Sequence, residues 1–281
     1  MDSFLLNIIG GINSGILFIP FAVGISLIYR HLKEIDISID GVVIAAGIMT
    51  AITWNATGSY VLSLAVGGIS GILCSLFVAF LQAYFFIPVL MSGLIFSLIV
   101  HSVSIFMLGE SIVLSDTKLI SSIGLSYVDL QMWHLALLVA FVVVSNYIYN
   151  THIGLSIRKM GSGETINLYY SKARLRFVAY GITGVIYGFG AAIYFHSRGT
   201  LTTGTTFEFL VYALTAYLLA YKFFPKLSEI ISHLKNGKDR LIPKKWDTIA
   251  DWGVLLMSKE SLMAPVGAIV LEILIAFIID Y

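Results

Sequence analysis

The side chains that could do acid–base or nucleophilic chemistry here lie inside apolar stretches. Glu272 sits within residues 261–279, and His101 and Gln82 sit within the charge-free stretch 41–109, with Trp54 and Asn55 toward the outer end of its first third. Ionisable groups at membrane depth are costly and often mark a pathway or a partner contact. Glu272 therefore has two readings: a pathway or partner role, or a carboxyl that is protonated or paired with a base. His101 reads as a neutral imidazole hydrogen-bonded to a neighbouring helix, or with Asn55 as a pathway or gate residue. Gly68-Ile69-Ser70-Gly71 has the G-x-S-G form of a serine nucleophile. An intramembrane protease would need a histidine within hydrogen-bond reach of Ser70. The nearest candidate, His101, falls on another predicted helix without close-packing glycines, and small-residue packing explains the tetrapeptide equally. Gly161-Ser162-Gly163-Glu164-Thr165 is glycine-containing, but no G-x-x-x-x-G-K-[ST] phosphate loop occurs anywhere. Cys74 is the single cysteine, which excludes an intramolecular disulfide and a multi-cysteine metal site. These residues assign no catalytic centre and no metal site.

The elements that would position them are membrane helices. The chain has 281 residues, 58% hydrophobic and 12% charged, with a net charge of +1 and a mean hydropathy of +0.92. Soluble proteins carry about 25% charged residues. Such a chain cannot cover its apolar side chains with polar ones, and its charge does not suit nucleic acid. Residues 41–109 contain no Asp, Glu, Lys or Arg. That stretch would be roughly 100 Å long as a helix, enough for three crossings of a core about 30 Å thick. The breaks fall at Ala56-Thr57-Gly58-Ser59 and near Ile87-Pro88. Further crossings are expected at 4–29, 131–157, 177–197, 208–224 and 261–279. The fold class is therefore all-α: a polytopic helical bundle of about eight transmembrane helices with cytoplasmic amphipathic helices, forming one domain over 1–281.

Orientation follows from the basic residues. Loops 30–40, 151–176 and 222–252 hold 14 of the 17 Lys and Arg residues and are expected on the cytoplasmic side. The N-terminus is then expected outside, in a multi-pass protein of the inner (plasma) membrane. Ser63, Gly67, Gly71, Ser75 and Ala79 recur every four residues, as do Gly184, Gly188 and Ala192. Gly67, Gly71, Gly184 and Gly188 predict close helix–helix packing, because small residues let backbones approach in lipid.

Loop 151–176 suits two short helical stretches joined at Gly161-Ser162-Gly163. It is either a surface for a partner or a solvated loop that only fixes topology. In the third loop, Leu227, Ile230, Ile231 and Leu234 follow i, i+3, i+4, i+7, which predicts an amphipathic helix. Such a helix suits the inner leaflet of lipid or a second protein contact.

Residues 151–161 resemble the coupling segment T-x-x-G-x-x-x-R-A-x-G-x-N of ABC importer permeases of the branched-chain amino acid and ribose type. Thr151, Gly154, Arg158 and Gly161 match in register, while Lys159 and Gly163 depart. Phe18-Ile19-Pro20-Phe21-Ala22-Val23-Gly24, Arg30 and Ile35-Asp36-Ile37-Ser38-Ile39-Asp40-Gly41 are similar to a subgroup linked to aromatic or other amino acids. The resemblance covers about residues 10–205. It implies a transport subunit, not an enzyme, that binds no cofactor itself and relies on ATP used by a separate cytoplasmic ABC ATPase. It also implies an external solute-binding protein and a second permease copy, identical or different. Thr151, Gly154, Arg158, Gly161 and Glu164 would then form the ATPase-coupling loop. Asp36 and Asp40 would order the first cytoplasmic turn, or Asp40 would cap its own helix. The last third departs from the family pattern through the charged insertion 222–252, which leaves open a non-transporting membrane anchor that recruits a cytoplasmic partner.

Overall fold

The computed structural model describes residues 2–108, 111–113, 151–161, 171–202 and 209–218, with Ala136, Ala140, Val143 and Tyr147. Helix α1 spans Asp2–Leu32, α2 Ile39–Thr57, α3 Tyr60–Tyr84 and α4 Val89–Leu108. A short strand β1, Ser111–Val113, follows. Helices α5, His152–Gly161, and α6, Lys172–Arg198, come next. Strand β2, Thr200–Thr202, pairs antiparallel with β1, with Ile112 opposite Leu201. A last described helix, α7, is Phe209–Leu218. The charge-free stretch thus divides into three helices, with its breaks where the sequence places them. Among the described residues, α2, α3, α4 and α6 are long and apolar enough to cross a bilayer.

Local chemistry sets the breaks. Gly58 ends α2 at φ 64°, its N–H bonding the Trp54 carbonyl, and Gly199 ends α6 at φ 70° in the same way. A residue without Cβ takes this left-handed turn at little cost. Ser59 starts α3 by accepting from the Leu62 N–H, and Ser171 starts α6 by accepting from the Arg174 N–H. Pro20 interrupts the hydrogen-bond ladder inside α1, where it packs against Gly190 of α6.

The helices alternate in direction. Gly71 of α3 lies against Gly188 of α6, Ser63 bonds His196, and Gln82 bonds Tyr180, so α3 and α6 are antiparallel. Gly24 meets Tyr187 and Gly190 meets Pro20, which sets α1 antiparallel to α6. Helix α2 fits between them, with Gly47 against the Phe195 ring. The α3–α6 seam is backbone against backbone. A Cβ on Gly71 would stand 2.5 Å from the Gly184 oxygen and the Gly188 Cα, and one on Gly184 2.7 Å from the Gly71 oxygen. No larger residue fits without moving a helix.

The core is aromatic at mid-height. Phe18 and Phe21 of α1, Tyr194 of α6 and Phe209 of α7 have ring centroids 4.9–6.2 Å apart. Helix α7 therefore starts beside the middle of α1 and the last turn of α6. Of the crossing expected over 208–224, residues 209–218 are described, and they are helical. The outward faces of α3 and α4 expose Ile69, Leu73, Phe77, Leu94, Leu98 and Phe106, the last 90% accessible. A contiguous apolar surface of this kind is what lipid solvates. The crossing expected at 261–279 and the insertion 222–252 lie outside the described residues, as does most of 131–157, where Ala136, Ala140, Val143 and Tyr147 are helical and exposed.

Overpacking a tight core costs about 1–3 kcal/mol. Gly71→Leu should therefore lower the thermal unfolding midpoint in detergent. Gly181→Ala, whose Cβ would come no nearer than 3.7 Å to Leu76, should leave it unchanged. Equal midpoints in the two variants would contradict the close seam.

Candidate functional site

Polar groups gather at the two ends of the α3–α6 seam. At one end, named outer after the orientation expected from the basic residues (the other end is then the inner), Ser63 Oγ and His196 Nε2 are 2.8 Å apart and both residues are buried. The imidazole lies edge-on to Trp54 at 5.2 Å and against Tyr60 at 4.9 Å. Three helices are thus joined around one ring. Asn55, the next residue after Trp54, is exposed.

The inner end is built by the 33–38 connection, which folds back into the bundle. Lys33 turns the chain at φ 58°, a left-handed conformation that costs a residue with a side chain about 1–2 kcal/mol. Glu34 then meets Arg176 of α6, whose Nη2 donates to Oε1 at 2.6 Å. Asp36 is 2% exposed. Its Oδ1 accepts from the Ser38 N–H at 2.9 Å and the Ser38 hydroxyl at 2.5 Å, an Asx-type turn that launches α2. Burial pushes the Asp36 carboxyl above its ordinary range, and the Ser38 hydrogen bonds offset part of this. Burial also pushes Glu34 up, opposed by the Arg176 guanidinium.

Asp40 acts elsewhere than its own helix. Its Oδ1 accepts the Leu210 N–H at 2.9 Å, so it caps the buried start of α7 from across the bundle. The first N–H groups of a helix have no intrahelical partner, and a carboxylate there complements the helix dipole. The expectation that Asp40 caps α2 is therefore corrected. Residues 40 and 210 are too far apart in sequence for a local pattern to pair them. The same holds for Glu34 with Arg176.

Between the inner ends of α1, α3, α5 and α6 lies a cavity of about 360 Å³. Leu32, Glu34, Gln82, Met160, Lys172 and Arg176 are among its lining residues. Gln82 is 3% exposed and its Nε2 donates to Ser92 Oγ and Tyr180 Oη, each at 2.9 Å. Among the described residues, Gln82 Oε1 and Glu34 Oε2 are buried acceptors without a hydrogen-bond partner. No group of three or more His, Cys, Asp or Glu side chains that could hold a metal occurs among those residues.

One wall of the cavity is α5. The Thr151 carbonyl accepts the Leu155 N–H at 3.0 Å and opens this helix. Gly154 and Ile157 are buried and Met160 packs on the core, three residues apart along one face. Leu155 and Lys159 are exposed on the other, and Ile153, in the first turn on the same stripe as Ile157, is also exposed. Arg158 and Gly161 belong to the same helix. Glu164 and Glu272 lie outside the described residues.

A model of the family described as branched-chain amino acid transport system / permease component matches residues 7–234. The chain belongs to this family. The match runs beyond residue 205, where the motif resemblance ends, and into the charged segment that starts at 222. No curated protein and no solved structure matches the chain. As a member of this permease family it is a membrane-embedded component of ABC transport, and the short helix α5 carries the residues that resemble the family's coupling segment.

The other expected site residues are dispersed. The pairing of Gly93 with Ser38 and of Ser97 with Gly41 sets α4 parallel to α2. His101, half-buried, is then level with about residue 45, some ten residues or roughly 15 Å below Asn55. The two do not share a site. Ser70 Oγ donates to the Gly67 carbonyl of its own helix at 2.8 Å. Gly67, Gly71, Gly184 and Gly188 all lie in the α3–α6 seam. Gln82, considered only as a polar group within a span, turns out to line the cavity.

A carboxyl with a raised pKa holds its proton more tightly folded than unfolded. From the ordinary Asp value of 3.8 upward, the folded state then binds more protons, and stability falls as pH rises. The unfolding midpoint of the wild type should fall across this window, and Asp36→Asn should flatten the fall. Superimposable pH profiles would show that Asp36 is not the group responsible.

Proposed function

We propose that this chain is the transmembrane subunit of an ATP-driven importer in the inner membrane, with its N-terminus outside. The cargo is a small polar solute, and an amino acid is favoured by the family and by the resemblance of the 18–41 region. ATP hydrolysis belongs to a separate cytoplasmic subunit. An external solute-binding protein delivers the cargo, and a second permease copy, identical or different, completes the pathway. Alternating access then moves helices against one another around the solute.

The observation that carries this reading is the form of α5. It is a short helix with Thr151, Gly154, Arg158 and Gly161 in the family spacing. Its buried face, through Ile157, is seated among the inner ends of α1 and α6, while Leu155 faces outward and Ile153, in the first turn, is exposed. Exposed apolar side chains on a short helix beside polar loops favour a protein contact. Movement of a docked partner would pass through Ile157 into the bundle. Residues 154–168 would form the docking surface, with Arg158 against an acidic or carbonyl-rich rim.

The test is a pull-down of the tagged full chain from its native membranes in mild detergent. Wild type should bring down an ATPase with a phosphate loop, and the Arg158→Glu, Gly161→Pro double variant should lose most of it. Recovery of no ATPase, under conditions that keep a control transporter intact, would contradict the reading and favour a membrane anchor.

A further inference from the structure

The cavity between the inner ends of α1, α3, α5 and α6 carries a positive charge without a counter-charge. Its volume of about 360 Å³ is at the small end of ligand-pocket sizes, roughly 300–1,000 Å³. Two cations line it, Lys172 and Arg176, against one carboxylate, Glu34. Arg176 pairs that carboxylate at 2.6 Å. Glu34 Oε2 and Gln82 Oε1 have essentially no accessible surface, so they do not face the cavity. Gln82 Nε2 is taken up by Ser92 and Tyr180. Among the described residues, Lys172 is exposed and has no acidic partner. The cavity thus offers an ammonium, and the guanidinium N–H groups that Glu34 does not take, to an anion.

The rest of the lining is apolar and leads to the lipid-facing surface. Leu32, Ala83, Met160 and Ala173 form wall, and Phe86 forms the rim with 86% of its surface exposed. Phe86 holds φ 54°, a strained choice for a bulky side chain. Exposed rings continue from it along the outer face of α3, where Phe80 lies 5.7 Å from Phe85 and 5.0 Å from Tyr84. Helix α3 has 25 residues and is about 37 Å long, more than the ~30 Å hydrocarbon core, so its last turn reaches headgroup depth. A cationic hollow between helices at this depth suits an anionic lipid head. We propose that the cavity binds the phosphodiester headgroup of an anionic phospholipid of the inner leaflet, of the phosphatidylglycerol type. The phosphate oxygens meet Lys172 and Arg176, and the acyl chains leave past Phe86 along Phe80 and Tyr84. A free phosphate would use the cations but not the aromatic path. A zwitterionic lipid would bring its own cation toward Lys172. Leu32, Ala83, Met160 and Lys172 come from α1, α3, α5 and α6, so one bound head ties four helices and steadies the seat of α5. This inference goes beyond the transport reading: neither cargo nor ATPase enters it, only the orientation that puts this end at the inner leaflet.

The experiment is a titration of the purified full chain, in dodecyl maltoside micelles, with dioctanoylphosphatidylglycerol, the bound lipid being counted by native mass spectrometry. Dioctanoylphosphatidylcholine has the same chains on a zwitterionic head, and glycerol 3-phosphate has the phosphate without chains. Saturable binding of phosphatidylglycerol is expected, with phosphatidylcholine weaker by about fivefold or more. Lys172→Gln should weaken phosphatidylglycerol by a similar factor. Arg174→Gln removes the same charge from an exposed position of the same helix turn that does not line the cavity, and should leave the affinity unchanged. Unfolding midpoints would verify that both variants fold. Equal affinity for the two lipids would overturn the proposal. Equal affinity of Lys172→Gln and Arg174→Gln for phosphatidylglycerol would also overturn it, by reducing the effect to general surface charge. Displacement of the lipid by glycerol 3-phosphate at equal concentration would overturn it in favour of a free phosphate compound.

Discussion

The bundle depends on one close approach, the contact of α3 with α6 across Gly67, Gly71, Gly184 and Gly188. Lipid tails are as apolar as leucine, so burying apolar surface does little to bring two membrane helices together. Dispersion between fitted backbones must do it, and that requires residues without side chains. The carbonyl oxygens of Gly67 and Gly71 stand only 2.6 and 2.7 Å from where Cβ atoms on Gly188 and Gly184 would be. With this pair fixed, α2 packs against both helices through Gly47 and Thr50, and α1 seats Pro20 against Gly190. The outer end of the seam is closed by His196 between Trp54 and Tyr60. The inner end is held open by polar side chains.

That asymmetry gathers the charged side chains at the inner end. The connection between α1 and α2 folds inward, with Asp36 setting the turn and Glu34 held by Arg176. Four residues after Asp36, Asp40 holds the buried start of α7 through Leu210. Three charged or polar anchors within seven residues therefore tie α1, α2, α6 and α7 together beside α5. Such ties are directional hydrogen bonds in a medium of low dielectric, so they have discrete made and broken states. A displacement of α5 reaches them through Ile157 and Met160, which pack on the same core.

Much of this was legible in the sequence. Charge-free runs placed α2, α3 and α4 and their breaks, because apolar length against bilayer thickness is a strong constraint. Glycine spacing picked out the residues that form the α3–α6 seam. The pattern from Thr151 to Gly161 coincides with α5. Long-range pairings were not legible. Nothing local couples Asp40 to Leu210 or Glu34 to Arg176, since these arise only once helices are stacked. Gln82 looked like an isolated polar residue because its cavity is made by four separate segments. Polarity within a span says nothing of the register that sets His101 and Asn55 at different depths, which comes only from the packing of α4 on α2.

The central claim is that nucleotide use by a partner moves the inner mouth of this bundle. Cys74 is the single native cysteine, so a Cys74→Ser, Lys172→Cys chain offers one thiol at that mouth. Its labelling by a membrane-impermeant maleimide should be followed in inverted membrane vesicles from the native source, without nucleotide and with ATP and vanadate. The account predicts a labelling rate that changes several-fold on trapping with ATP and vanadate. It also predicts that this change is lost when Arg158→Glu and Gly161→Pro are added. An identical rate in every condition, in vesicles where the ATPase is present and active, would contradict it.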